Sequence, residues 1–214
     1  MLQPSVPMTV VYDIFNRINT GGTKLERQEI RNCIFIGKAT TLLKQLAQSS
    51  IFKNAIDYGI TPTRMKDREA ILRCLAFFIF DYQVDYNNSM DDFLERAMKR
   101  INAMSEIQVA ELESTFDRVM RTTIDFFGKR DFRLPTGASR GRINIALMEC
   151  VYNFFAINSN DYLVNNREEI IRRYNVLLTK NDFVESVKYS TGATGRVKNR
   201  FSISRNILGG LTNA

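Results

Sequence analysis

Apolar positions recur at helical spacing along most of this chain. Val11, Ile14, Phe15 and Ile18 follow the i, i+3, i+4, i+7 rhythm of one helix face, and Gly21-Gly22 stops that run. Thr23 and Glu26 have the Ser/Thr-x-x-Glu spacing of a capping box, which predicts a second helix starting at Thr23 with Leu25 as an early core contact. It runs through Gln28, Ile30 and Ile34 until Gly37 permits a break, and a further helix reaches about Gln48. Gly59 and Pro62 mark the mixed stretch from Ser49 to Lys66 as a loop.

From Asp67, the stripe Ile71, Cys74, Leu75 and Phe78 is joined by Phe77, Ile79 and Phe80 on the other faces. A helix apolar on so many sides belongs in the middle of a core. Glu106 to Phe127 places Val109, Leu112, Phe116, Val119 and Ile124 on one side, with Gly128 set to end it. After a loop containing Pro135, Gly137 and Gly141, the positions Ile143, Leu147, Cys150, Val151, Phe154 and Phe155 again read helical. The following helix pairs Glu168 with Arg172 and Glu169 with Arg173 at i, i+4, and turns Ile170, Tyr174, Leu177 and Leu178 inward.

Strand-like alternation of convincing length is absent, and no repeat period is visible. The expectation is an all-α, compact multi-helix fold of about eight to ten helices. A seam at the Lys129 to Arg142 loop would divide it into a helical lobe over 1–128 and a basic helical lobe over 129–214. At 214 residues and 44% hydrophobic content the chain can bury a substantial core. Its longest apolar run, Cys74 to Phe80, is far shorter than the roughly 20 residues that cross a bilayer. Met1 to Thr9 has no secretory-signal pattern, so the expected location is the cytoplasm, with no membrane partner.

Histidine is missing altogether, which removes Ser-His-Asp and Cys-His nucleophile activation and every imidazole-dependent nuclease chemistry. The three cysteines, Cys33, Cys74 and Cys150, lack metal or disulfide spacing and read as buried small hydrophobes. The carboxylate pairs Asp91-Asp92 and Glu168-Glu169 are adjacent on helices, point apart, and read as solvated faces, so no metal site is expected.

The net charge is +7 and the pI near 9.4. Residues Met1 to Gly128 balance at 16 basic and 16 acidic side chains. The excess sits in Lys129 to Arg142, with five basic against one acidic, and in Lys180 to Ala214, with six against two. Such concentration suits phosphate contact, although a merely soluble basic surface has the same composition. In the second segment, Thr191-Gly192-Ala193-Thr194-Gly195-Arg196 lacks the Gly-Lys-Ser/Thr ending of a Walker loop. Its neighbours Lys188, Arg196, Lys198, Arg200 and Arg205 are the candidate DNA-backbone contacts, against a flexible surface loop as the plain alternative.

The stretch Ile14 to Asn32, IFNRINTGGTKLERQEIRN, carries Phe15, Arg17, Ile18, Asn19, Thr20, Gly21 and Gly22, then Leu25, Gln28, Glu29, Ile30 and Arg31. It resembles the family that includes the GmrS subunit of GmrSD type IV restriction enzymes, with its Phe-x-Arg-Ile-Asn-Thr-Gly-Gly segment before Leu-x-x-Gln-Glu-Ile-Arg. Glu69, Leu72 and Arg73 are similar to that family's Glu-x-x-Leu-Arg helix. Phe132-Arg133, Phe183, Ser190, Thr191 and Arg200 extend the likeness over almost the whole chain.

The resemblance implies a companion ParB-like lobe carrying an Asp-Gly-Gln-Gln-Arg motif for nucleotide binding and hydrolysis. It also implies a His-Asn-His nuclease domain or subunit, and this sequence holds neither element. The chain is therefore expected to be the helical part of a nucleotide-dependent, modification-directed DNA restriction or anti-phage assembly, inactive alone. It would bind no cofactor by itself, with NTP and Mg belonging to the complete assembly, and DNA as a partner. Exposed apolar surface left without its companion would favour homo-oligomers.

Within that frame the nucleotide- or phosphate-contacting candidates are Arg17, Asn19, Thr20, Gly21, Gly22, Gln28 and Arg31. Two glycines let backbone N–H groups approach a phosphate, and a helix starting at Thr23 would aim its positive end there. An ordinary helix junction explains the same glycines. A self-sufficient NTPase and a helical protein-interaction module with no nucleic-acid role are the other readings.

Overall fold

The computed structural model describes Val10 and residues 25–128, 132–137 and 141–209. Among them are eleven α-helices and no strand, so the all-α expectation holds. In chain order they are α1 (Arg27–Ile34), α2 (Lys38–Gln48), α3 (Ser50–Ala55), α4 (Lys66–Ile79), α5 (Met90–Asn102), α6 (Glu106–Phe127), α7 (Ile145–Ile157), α8 (Asn160–Asn165), α9 (Arg167–Thr179), α10 (Asn181–Lys188) and α11 (Thr194–Gly209). A short 3-10 turn, Thr63–Met65, leads into α4.

α4 and α7 form the centre. α4 packs against α2, α5 and α7, while α7 also meets α6, α10 and α11. On α4, Ala70 to Leu72 and Cys74 to Phe77 are buried, as the all-round apolar pattern predicts. On α7 every residue from Ala146 to Phe155 is buried, Glu149 and Asn153 included. One aromatic cluster ties the outer helices to this centre. Phe77 of α4 lies 4.8 Å from Phe93 of α5 and 4.7 Å from Phe201 of α11, ring centre to ring centre.

Helix starts follow local chemistry. The Ser105 hydroxyl accepts the Gln108 N–H while the Gln108 side chain accepts the Ser105 N–H, and α6 then spans the predicted Glu106 to Phe127 and stops at Gly128 with φ 65°. Ser89 accepts the Asp92 N–H to start α5, and Ser49 accepts the Ile51 N–H to start α3 inside the stretch expected to be loop. Gly37 joins α1 to α2 because Asn102 crosses there. Asn102 accepts the Ala39 N–H and donates to the Phe35 carbonyl, and a Cβ at Gly37 would sit 2.7 Å from Asn102 Oδ1.

Buried side chains on both sides of residues 129–142 belong to one continuous cluster, from Phe35 to Leu208. Arg133 of that segment is itself buried and donates to the carbonyls of Ile56 and Gly141. The segment is thus fastened to the core at Arg133.

Candidate functional site

A row of charged side chains from α1, α4, α5, α7 and α11 runs from the part-exposed Asp91 into the core at Glu149. At its α1 end Arg31, 1% exposed, donates from Nε to Gln28 Oε1 (2.8 Å), from Nη1 to Asp91 Oδ1 (2.8 Å) and from Nη2 to Glu69 Oε2 (2.9 Å). Arg27 also reaches Asp91, at 3.1 Å. One turn along α4 from Glu69, the Arg73 guanidinium donates through Nε to Glu149 Oε1. Arg200, fully buried, donates from Nη2 to Glu149 Oε2 (2.6 Å) and from Nη1 to the Thr191 carbonyl (2.6 Å).

A buried carboxylate survives only when paired and hydrogen-bonded. Glu149 meets that condition with an arginine on each oxygen. Burial acts to lower the Arg73 pKa, but attraction to Glu149, its hydrogen bond and the nearby Glu69 outweigh this and hold it above the usual value. Arg200 also lies 5.6 Å from the ring centres of Phe77 and Phe201, which face its cation. The Tyr86 hydroxyl donates to the Gly192 carbonyl and Asn88 accepts the Thr194 N–H, so the buried Tyr86 and Arg200 and the exposed Asn88 together hold the glycine segment.

Several sequence expectations need correction on this geometry. The second helix begins at Arg27, not Thr23, with Glu26 as its cap; the Glu26 N–H donates to Glu29 Oε2 at 2.8 Å. Carboxylates thus stand at the helix start where a phosphate was expected, and Glu29 is paired with Arg64 at 3.0 Å. Arg31 is turned inward onto two carboxylates and is not available to an anion. Gln28 is buried beside it, its Nε2 lacking a partner among the described residues. Asp91 is not a merely solvated carboxylate but an acceptor for two arginines. Arg17, Asn19, Thr20, Gly21 and Gly22 lie outside the described residues.

Of the candidate DNA contacts, Arg200 is withdrawn into the ion-pair chain, which removes it from any DNA backbone. Thr194 to Arg196, expected in a loop, form the first turn of α11. Arg196 is half-buried with Glu185 3.8 Å away, Lys188 is exposed at the end of α10, and Lys198 and Arg205 are exposed on α11. Cysteine burial holds for Cys74 and Cys150, while Cys33 is exposed.

No family model matches this chain, and no curated protein or solved structure matches it.

Glu149 is the residue that sequence reasoning missed. Its signal was a lone charge in IALMECVYNFFAI, the most apolar of the longer described helices. Away from this network, α6 and the α7–α8 junction border a groove of about 490 Å³ lined by Ser114, Asp117, Arg118, Arg121, Thr122 and Asn160. Arg118 there has a structural task, since it donates to the Phe155 and Ala156 carbonyls and caps the end of α7. Among the described residues no group of three or more His, Cys, Asp or Glu side chains could hold a metal ion. No described helix is long and apolar enough to cross a membrane.

Proposed function

We propose that this chain is the helical component of a nucleotide-dependent DNA-restriction assembly of the GmrSD type, non-catalytic by itself and completed by a ParB-like lobe and a nuclease element. The observation that supports the reading is a convergence. Gln28 and Arg31 of the Gln-Glu-Ile-Arg element, Glu69 and Arg73 of the Glu-x-x-Leu-Arg helix, and Arg200 near the C-terminal end all enter one row of polar contacts that leads from the part-exposed Glu69 and Asp91 to the buried Glu149. Residues that carry the resemblance in separate stretches of sequence thus meet, through Glu69, Asp91 and Glu149, in contacts that tie distant helices together. In this reading their task is architectural, and nucleotide chemistry with NTP and Mg belongs to the companion lobe.

The test is reconstitution. This chain and a ParB-like lobe bearing Asp-Gly-Gln-Gln-Arg are purified separately and together, and NTP hydrolysis is followed with and without duplex DNA. The reading expects a stable complex in which turnover rises above that of the lobe alone. Failure of the two to associate, with hydrolysis by the lobe unaffected by this chain, removes the proposal. Turnover by this chain alone would support a self-sufficient NTPase instead.

A further inference from the structure

α11 carries four basic residues, Arg196, Lys198, Arg200 and Arg205, and no acidic one. Helical periodicity separates them. Arg196 and Arg200 are one turn apart on the inward side, where Glu185 and Glu149 meet them, whereas Lys198 and Arg205 are two turns apart on the opposite side. The exposed positions Gly195, Lys198, Asn199, Ser202, Arg205, Asn206 and Gly209 form one stripe along the helix. Its cations stand about 10 Å apart along the axis, at 1.5 Å rise per residue. Between them are an amide and a hydroxyl, side-chain types that bond phosphate oxygens in nucleic-acid complexes.

The stripe stands on a rigid base. Arg200 locks α11 to Glu149, Arg173 of α9 donates to the Ile207 carbonyl, and Arg205 lies over the Tyr82 ring at 5.0 Å, which is itself stacked on Phe201. A guanidinium already held by its ring loses less freedom on meeting a ligand. Three acids of the surrounding elements are engaged elsewhere. Asp85 accepts the Asp81 N–H and faces Arg96, Asp81 accepts the Gln83 N–H, and Glu169 is tied to Arg172 and Arg173.

We infer that the outward stripe of α11, Lys198 to Asn206, binds the sugar-phosphate backbone of double-stranded DNA. The inference deepens the restriction reading and rests on it for the choice of DNA as the anionic partner. Contacts of this kind fix position on the duplex and read no sequence.

Binding of the full chain to a fluorescent duplex of arbitrary sequence is followed by anisotropy over a range of salt concentrations, for the wild type, for K198E/R205E and for K44E/K66E. Lys44 and Lys66 are exposed on α2 and α4, so the last variant makes the same change in net charge elsewhere. The expected result is a loss of tenfold or more for K198E/R205E, and a log–log salt slope shallower by about 1.8, or 0.9 per phosphate. K44E/K66E keeps wild-type affinity. Equal losses in both variants would assign binding to overall charge and overturn the inference. Wild-type affinity in K198E/R205E would overturn it while leaving DNA binding to another surface. No DNA binding by a chain that still stimulates the ParB-like lobe would remove α11 as the site but spare the assembly. Retention on anionic lipid vesicles without duplex binding would also overturn it.

Discussion

Glu149 and Arg200 form an ion pair with both side chains fully buried, Arg200 Nη2 standing 2.6 Å from Glu149 Oε2. The pair joins α7 to α11, and Arg73 brings in α4 through the other carboxylate oxygen. Removing the carboxylate strands two guanidinium groups in the interior, a situation that costs about 3–5 kcal/mol when a buried partner is lost. Glu149→Gln is therefore expected to lower the unfolding free energy by that amount, read as a lower urea midpoint at unchanged m-value. Replacing all three members by apolar residues of similar volume, Arg73→Met, Glu149→Leu and Arg200→Met, should recover much of the loss. A Glu149→Gln protein within about 1 kcal/mol of wild type would show that the pair holds nothing together.

Phe77 should be the most costly aromatic to truncate. Its ring meets Phe93, Phe201 and Tyr86, so one side chain connects α4, α11, α5 and the segment before α5. Phe77→Ala is expected to lower stability by about 3–5 kcal/mol, within the range for core aromatics. Val84→Ala, at an 82% exposed position, should change it by less than about 0.5 kcal/mol. Chemical denaturation of the two variants side by side checks this, and near-equal values would contradict the central position given to Phe77.

The same side chains mark how much of the fold was legible in sequence. The extent of α6 was legible from its long stripe and Gly128, and the Ser105–Gln108 cap that fixes its start lies in the same local window. α3 was not, since six residues make fewer than two turns and show no period. α5 was passed over although Phe93, Leu94, Ala97, Met98 and Ile101 follow Ser89 at helical spacing. Among the candidate contacts, a helical wheel separates Lys198 and Arg205 from Arg196 and Arg200 only once α11 is known to start at Thr194, after a glycine that reads as loop. The inward turn of Arg31 and Arg200 depends on carboxylates distant in sequence, Glu69, Asp91 and Glu149, which no local window contains.

Thiol chemistry should separate the three cysteines. Cys33 is exposed on α1, whereas burial pushes the Cys150 thiol up to about 12 and the Cys74 thiol well above its usual range, nearby Glu149 adding to both. Alkylation requires the thiolate. Brief iodoacetamide treatment of the native protein at pH 8 is expected to give one adduct, located on Cys33 by peptide mass spectrometry, and three in urea. Modification of Cys150 at the rate of Cys33 would mean that α7 is not buried in solution.

Glu169 sets a pH dependence on the surface of α9. Hydrogen bonds from Arg172 (2.7 Å) and Arg173 (2.6 Å) hold its carboxyl at about 2, below the ordinary 4.5. The folded-state value is the lower one, so the contribution is present in full above about 4.5 and is lost as pH falls toward 2. Solvent and salt screen an exposed group of this kind, which makes the effect small. Stability of the wild type should fall relative to Glu169→Gln between those limits, and the two curves should run parallel above pH 5. Added salt should shrink the difference, because the arginines lie at the surface. A wild-type curve parallel to that of Glu169→Gln through the whole acid range would show that the carboxylate is not held by Arg172 and Arg173 in solution.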